Sequence, residues 1–178
     1  ANARLYEESL KAQEKQRRLA EENSVIAEIG RVISSSLDIN DVYGSLSEEV
    51  GKLIPFDQIS VNVIDATSGV ANPTFVVGID VAGRTPGDSV EYAGSLTEEV
   101  ARTRSPMMFE VNRESDLRDR MPGLLPAFHA GLRSFMGVPL IDRDHVLGVL
   151  HIRTKYHNVY SQHYLNMITK IGNQIAGA

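Results

Sequence analysis

Residues 131–154 decide the fold, and they read GLRSFMGVPLIDRDHVLGVLHIRT. Two apolar stretches, residues 132–140 and 146–154, flank the polar tripeptide Asp142-Arg143-Asp144. Apolar runs of this length on either side of a short polar turn are typical of two antiparallel strands joined as a hairpin. The sequence therefore predicts a β-hairpin close to the carboxyl end of the chain.

Strand periodicity is also present in residues 58–79. Residues 58–65 read QISVNVID, in which apolar Ile59 and Val61 alternate with polar Ser60 and Asn62. This period of two predicts a strand with one apolar face and one more polar face. A turn at Thr67-Ser68-Gly69 and a second predicted strand at 74–79 complete another hairpin.

The segment between the two hairpins is more irregular. A loop rich in glycine and proline covers 80–94, and Ser95 with Glu98 forms a capping box that predicts a helix at 96–104. Residues 106–111 are a short predicted strand. Irregular structure with short helical turns is expected at 112–129.

Helices are predicted at both ends of the chain. Residues 24–37 and 41–53 carry apolar faces at helical spacing, and Ser161 caps a final helix with its own apolar stripe. Because the strands follow one another in runs, the pattern favours an α+β domain with an antiparallel sheet.

Residues 1–23 form a distinct segment, with balanced charges and no glycine or proline. An apolar residue recurs every seventh position, at Leu5, Ala12, Leu19, Ile26 and Ile33. This stripe is typical of one half of a coiled-coil seam, but the other half is polar at Gln16 and Asn23. Two interpretations remain open: a solvated helical linker and a parallel two-stranded coiled coil. We divide the chain into this helical linker, residues 1–23, and one domain, residues 24–178.

Composition narrows the class of protein. The chain has 178 residues, 42% hydrophobic and 23% charged, which suits one globular domain. It contains no cysteine, so disulfides and thiolate sites are excluded, and a cytoplasmic location is expected. The net charge of -5 argues against nucleic-acid binding, and no apolar run is long enough to predict membrane contact. Since the chain begins with Ala1, we expect it to be part of a longer protein.

Four motifs resemble the GAF family in the family's order. GLRSFMGVPL at 131–140 resembles the G-x-R-S-x-x-x-V-P-L strand, and VLGVLHI at 146–152 resembles the next strand. YSQHYL at 160–165 resembles the start of the last GAF helix, and the strand ending in Val63-Ile64-Asp65 before Gly69 also fits. The resemblance spans residues 24–178. It implies a GAF/PAS-like fold: a six-stranded antiparallel sheet with the terminal helices on one face and a pocket covered by helix and loop on the other.

The resemblance also implies a function. GAF domains are usually sensory modules without enzymatic activity that bind a small molecule and signal to an output domain, such as a histidine kinase of a two-component system. The alternative is a structural module that dimerises and relays a signal with no bound ligand. The two ends of the chain resemble segments that flank GAF domains, which suggests a place in the middle of a protein, in a tandem array.

Several activities of the family can be weighed from the residues. Covalent bilin attachment and methionine-sulfoxide reduction need cysteines, which are absent, and nothing matches the cyclic-nucleotide signature N-K-x-F-x-x-x-D-E. Haem ligation through His129 or His151 stays open beside a structural role for each histidine. No H-x-x-x-H pair or G-x-S-x-G elbow is present, so neither a metal site nor an enzyme is predicted, and the cofactor is unknown.

The phase of Ser60 and the pocket position that the resemblance implies together predict the ligand-binding residues. These are Ser60, Asn62, Phe75, Val77, Leu96, Val100, Phe109, Leu124, His129 and Ser134. The ligand itself is not predicted. The heptad stripe predicts a homodimer, with contacts from a long first helix at 3–36 and from the last helix.

Overall fold

The computed structural model describes residues 2–35 and 39–177, which form six strands and six α-helices with one 3-10 turn. The helices are α1 (Asn2–Ser35), α2 (Ile39–Gly51), α3 (Leu96–Thr103), α4 (Ser115–Arg118), α5 (Leu125–His129) and α6 (Gln162–Ala176). The strands are β1 (Gln58–Asp65), β2 (Val70–Gly78), β3 (Val90–Glu91), β4 (Met107–Glu110), β5 (Ser134–Asp142) and β6 (His145–Thr154). The 3-10 turn is Pro122–Leu124.

The strands form one antiparallel sheet in the order β3-β2-β1-β6-β5-β4. The predicted hairpin of β5 and β6 is confirmed, with Asp142 paired to His145 across a two-residue turn. Arg143 and Asp144 both have positive φ, of 49° and 67°, as a type I′ turn requires. This turn matches the right-handed twist of the strands and brings β6 to the centre of the sheet.

One face of the sheet, which we call the helix face, is covered by the three longest helices, α1, α2 and α6. Its buried side chains come from alternate strand positions, such as Ile59 on β1 and Ile152 on β6, and from helix residues such as Ile29, Leu46 and Ile168. Each of these five side chains is fully buried. This apolar layer is the main core of the domain.

The opposite face, which we call the cover face, carries α3, the 3-10 turn and α5. Its smaller core includes Leu96, Val100 and Phe135. A Cβ added to Gly137 on β5 would lie 2.9 Å from Val100 Cγ2 and 3.4 Å from Leu96 Cδ2. The missing side chain at Gly137 therefore lets α3 lie directly against the sheet.

Local signals predicted most boundaries well. Ser95 Oγ accepts a hydrogen bond from Glu98 N at 3.0 Å, and the Glu98 side chain accepts one from Gly94 N at 3.3 Å, so the capping box of α3 is confirmed. Ser161 caps α6 as predicted. The loop assigned to residues 80–94 contains the two-residue strand β3, which is too short to give an alternating pattern.

Candidate functional site

A small cavity of about 20 Å³ lies on the cover face, between the sheet and α3. Polar side chains from β1 and β6 form its floor, and α3, the loop after β2 and the 3-10 turn close it. The lining residues are Gln58, Ser60, Asn62, Arg84, Val90, Ser95, Leu96, Thr97, Gly123, Leu124, His151 and Arg153. A space of this size holds about one water molecule.

The floor of the cavity is polar because cross-strand partners share a face of the sheet. Ser60 pairs with His151 and Gln58 pairs with Arg153, while the intervening Ile59 pairs with Ile152 on the helix face. The alternation that builds the apolar core on one face therefore places four polar side chains side by side on the other. A row of buried polar groups of this kind needs hydrogen-bond partners.

His151 belongs to a buried chain of three side chains. Thr97 Oγ1 lies 3.0 Å from His151 Nε2 and accepts a hydrogen bond from Asn62 Nδ2 at 3.2 Å. Burial, with a further contribution from the charge of Arg153, holds the pKa of His151 well below its usual range, so the ring is neutral at pH 7. His151 Nδ1 is buried and has no partner among the described residues.

Arg153 is the most unusual group in the cavity, because only 7% of its surface is exposed. Its Nη1 donates to Gln58 Oε1 at 3.3 Å, and its guanidinium lies 5.6 Å from the centre of the Phe135 ring. Its Nε is buried without a partner among the described residues. Burial, together with repulsion from Arg84, lowers the pKa of Arg153 to about 10. A buried cation that lacks a carboxylate partner destabilises a fold, so its presence calls for an explanation.

Arg84 brings a second cation to the same cavity from the loop after β2. Its Nη2 donates to the carbonyl oxygen of Gly123 at 3.1 Å, which links this loop to the 3-10 turn. Burial lowers the pKa of Arg84, and the charge of Asp88 opposes that effect. The two arginines thus face one enclosed space from the sheet and from its cover.

The structure brings four of the ten predicted ligand-binding residues to this cavity: Ser60, Asn62, Leu96 and Leu124. The first two lie on β1, Leu96 on the first turn of α3, and Leu124 at the end of the 3-10 turn. In the structure, Ser60 and Asn62 therefore lie on the same face of β1, as the alternation predicts. Ligand binding by these residues stays a prediction.

Phe75 and Val77 were placed on the wrong face. Phe75 pairs with Val61 and Val77 pairs with Ile59, and cross-strand partners share a face, so both side chains pack into the core of the helix face. The Phe75 ring stacks on Tyr43 of α2, with 4.5 Å between ring centres. The error arose because the alternation of β2 was assigned without its pairing register.

Val100 and Phe109 lie on the predicted face but outside the cavity. Val100 is fully buried between α3 and Gly137. The Phe109 ring stacks on Phe135, with 5.4 Å between ring centres, and borders an open groove of about 270 Å³ along β4. Both side chains support the cover rather than line the enclosed space.

His129 and Ser134 also lie away from the cavity. His129 is exposed at the end of α5, where its Nε2 lies 2.6 Å from Glu114 Oε1. Ser134 Oγ donates to the carbonyl oxygen of Tyr156 at 2.6 Å, which ties the start of β5 to the segment after β6. Both residues hold loops in place.

The prediction missed four polar residues of the site: Arg153, Arg84, Gln58 and Thr97. A signal for Arg153 was present, because it follows His151 by two residues in a strand and so shares its face. Arg84 lies in an irregular loop, so no periodicity could have placed it.

The comparison with protein families decides the identity of this fold. A family model described as "GAF domain" matches residues 36–178. This chain belongs to the GAF family. The resemblance read from the sequence is confirmed, and so is the six-stranded antiparallel sheet with an α+β architecture.

Among curated proteins, the GAF domain is similar to the formate hydrogenlyase transcriptional activator FhlA of Escherichia coli strain K12, with 22% identity over 153 residues. The match covers 85% of this chain and 22% of that protein. The chain thus spans about a fifth of the length of this relative.

Solved structures share the fold at low identity. The GAF domain of an Acinetobacter phosphoenolpyruvate-protein phosphotransferase is 20% identical, with a TM-score of 0.69 over 86% of this chain and 89% of that one. The GAF domain of a Bacillus halodurans two-component sensor histidine kinase is 17% identical, with a TM-score of 0.66 over 80% and 93%. A free methionine-R-sulfoxide reductase of Neisseria meningitidis, solved with its substrate, is 11% identical, with a TM-score of 0.70 over 90% and 89%. The fold therefore occurs in both regulatory proteins and enzymes.

None of the helices within 2–35 and 39–177 has the length and apolar character of a membrane span. In the same residues, no three His, Cys, Asp or Glu side chains gather as metal ligands do.

Proposed function

We propose that this GAF domain is a sensory module that binds a small molecule in the cavity of the cover face. The observation that carries the proposal is the enclosed polar space itself, with buried Arg153 Nε and His151 Nδ1 lacking partners among the described residues. Native proteins rarely leave such groups unsatisfied, and exceptions mark functional sites. The histidine kinase and the transcriptional activator to which the domain is similar support a signalling role.

A regulatory role fits the site better than a catalytic one. Nucleophilic catalysis needs a nucleophile within hydrogen-bond reach of its base. The Ser60 hydroxyl, although on the cross-strand partner of His151, makes no hydrogen bond among the described residues, and the chain has no cysteine. Any catalytic activity would belong to another domain of a longer protein.

The proposed signal passes through α1 to an output domain. Residues Ile26, Ile29 and Ile33 at the carboxyl end of α1 pack into the core, whereas Leu5 and Leu19 are 64% and 41% exposed. One helix therefore joins the domain core to an unpaired apolar stripe. Pairing of this stripe with a second copy would cover it and form a parallel homodimer.

Ligand binding is tested by thermal unfolding of the chain against a panel of small metabolites. A binder raises the melting temperature, and Ser60→Val, which fills the cavity, removes that rise, while Ser68→Val in an exposed turn does not. A binder whose effect survives Ser60→Val would place the site elsewhere.

A second candidate function is a structural relay without a ligand, which the small volume of the cavity favours. Sedimentation at micromolar concentration tests the dimer that both candidates need. The double variant Leu5→Gln/Leu19→Gln should shift the chain towards monomer, while Leu10→Gln, an exposed leucine outside the stripe, should not. A monomeric unmodified chain would refute the dimeric relay.

A further inference from the structure

The cavity carries an unbalanced positive charge. Arg153 and Arg84 both line it, and among the described residues neither has a carboxylate oxygen within 4.0 Å. The two guanidinium groups are close enough for Arg84 to disfavour the charged form of Arg153. An anion between them would convert this repulsion into two attractions.

Carboxylates on the surrounding elements are already engaged elsewhere. Asp57 accepts from Thr154 Oγ1 and Lys155 N, both at 2.8 Å. Asp88 accepts from Thr85 N at 2.8 Å and from its hydroxyl at 2.7 Å, and Glu98 is held in the capping box of α3. Asp88 therefore acts on Arg84 only through its charge and without an ion pair, and Arg153 receives no counter-ion from these residues.

The unpartnered groups of the cavity are hydrogen-bond donors. Asn62 Nδ2 donates to Thr97 Oγ1, which leaves the Thr97 hydroxyl proton available to His151 Nε2. In the tautomer that accepts this proton, the ring proton of His151 lies on Nδ1. Arg153 Nε–H and His151 Nδ1–H are then two buried donors without an acceptor among the described residues. A bound molecule with several acceptor oxygens matches this set.

We propose that the ligand of the cavity is a small carboxylate, of one or two carbons, held between Arg153 and Arg84. The inference rests on the proposed function and names its ligand class. A planar carboxylate presents two oxygens to the arginine donors and neutralises one of the two positive charges, which water cannot do. His151, neutral and fixed by Thr97, donates to the ligand without adding a third charge.

The volume of the cavity limits the size of the ligand. The cavity of about 20 Å³ holds about one water molecule, so the proposed ligand belongs at the small end of the carboxylates and still requires the cover to shift. Val90, Leu96 and Leu124 supply an apolar side that can accept a methyl group. To admit three or four heavy atoms, half-buried Arg84 would have to move outwards from its hydrogen bond with the Gly123 carbonyl.

The test compares sodium formate and sodium acetate with acetamide, the uncharged isostere of acetate, by calorimetry and thermal unfolding at constant ionic strength. Acetate or formate should raise the melting temperature, and acetamide should not. Arg153→Gln and Arg84→Gln should each weaken binding by about 10- to 100-fold, the usual value of a charge-assisted hydrogen bond. Arg133→Gln, which removes a half-buried arginine outside the cavity, should change affinity less than about 3-fold.

Four results would overturn the inference. Equal stabilisation by acetamide and acetate would show that the cavity does not recognise charge. Tight binding of succinate or benzoate with unchanged affinity in Arg153→Gln would place the anion elsewhere. If only neutral or cationic compounds bind and Ser60→Val abolishes that binding, the ligand is not an anion but the proposed function stands. If no class of compound binds, both the anionic ligand and the proposed function are refuted. Circular dichroism of each variant establishes that it folds.

Discussion

Replacing Arg153 with methionine should make the ligand-free domain more stable. Methionine is unbranched and flexible, so it can occupy the apolar part of the arginine's path beside Phe135. The substitution removes a cation that is 7% exposed and has no carboxylate partner among the described residues. A buried ionic group replaced by a well-packed apolar one often raises the free energy of unfolding.

The size of the effect follows from two opposing contributions. A pKa of about 10 for Arg153 lies well below the usual value for arginine. At about 1.4 kcal/mol for each factor of ten, this corresponds to a penalty on the order of 3 kcal/mol for the buried charge. Methionine leaves Gln58 Oε1 without its donor, which costs about 1 to 2 kcal/mol. The net gain is then about 1 to 2 kcal/mol, or roughly 2 to 8 °C in melting temperature for a chain of this length.

Urea unfolding followed by circular dichroism measures this gain in an anion-poor buffer. The matched control is Arg133→Met, because Arg133 lies 3.8 Å from the centre of the Phe128 ring and donates to the Phe128 carbonyl at 2.8 Å. That variant should lose about 1 to 2 kcal/mol. If Arg153→Met is instead destabilised as much as the control, Arg153 is a structural residue and the account of its charge is wrong.

Two further predictions concern the neighbours of Arg153. Because the pKa of His151 is lowered in the folded state, the unfolded state binds a proton first as the pH falls below about 6.5. The free energy of unfolding should then drop by up to about 1.4 kcal/mol per pH unit towards pH 5. Urea unfolding across pH 5 to 7.5 measures this slope, and His151→Gln should flatten it. Gly137→Ala should lower the free energy of unfolding by about 1 to 3 kcal/mol, because the added Cβ would press on Val100. Gly44→Ala in α2 should raise it by up to about 1 kcal/mol, because no atom lies within 4 Å of the added carbon. A slope that His151→Gln leaves unchanged would contradict the lowered pKa of His151. A neutral Gly137→Ala would contradict the close packing of α3 on β5.

Features that depend on neighbours in sequence were predictable. The type I′ turn at Arg143-Asp144, the capping box of Ser95 and Glu98, and the phase of β1 each depend on residues within a few positions of one another. Alternation placed Ser60 and Asn62 on one face of β1, and the resemblance to the GAF family assigned that face to the pocket.

Features that depend on contacts between residues distant in sequence were not predictable. Phe75 faces the helices because of its pairing with Val61, a register that the sequence of β2 does not encode by itself. Arg153 was in phase with His151, but arginine is rarely buried without a partner, so its residue type argued against its position. Arg84 reaches the cavity through a loop whose path is set by its hydrogen bond to Gly123.

The two faces of the sheet differ in composition, since one carries the large apolar core and the other carries the polar cavity. Along β1, Ile59 and Val61 join the apolar core under the helices, while Ser60 and Asn62 face the cavity. The large apolar core on one face stabilises the domain. The other face can therefore hold a buried cation, which lowers the free energy of unfolding without unfolding the domain. A ligand that offsets this cost would stabilise the cover relative to the empty domain, in proportion to how far its concentration exceeds its dissociation constant. The charge of Arg153 would thereby couple occupancy of the cavity to the stability of α3 and the Arg84 loop.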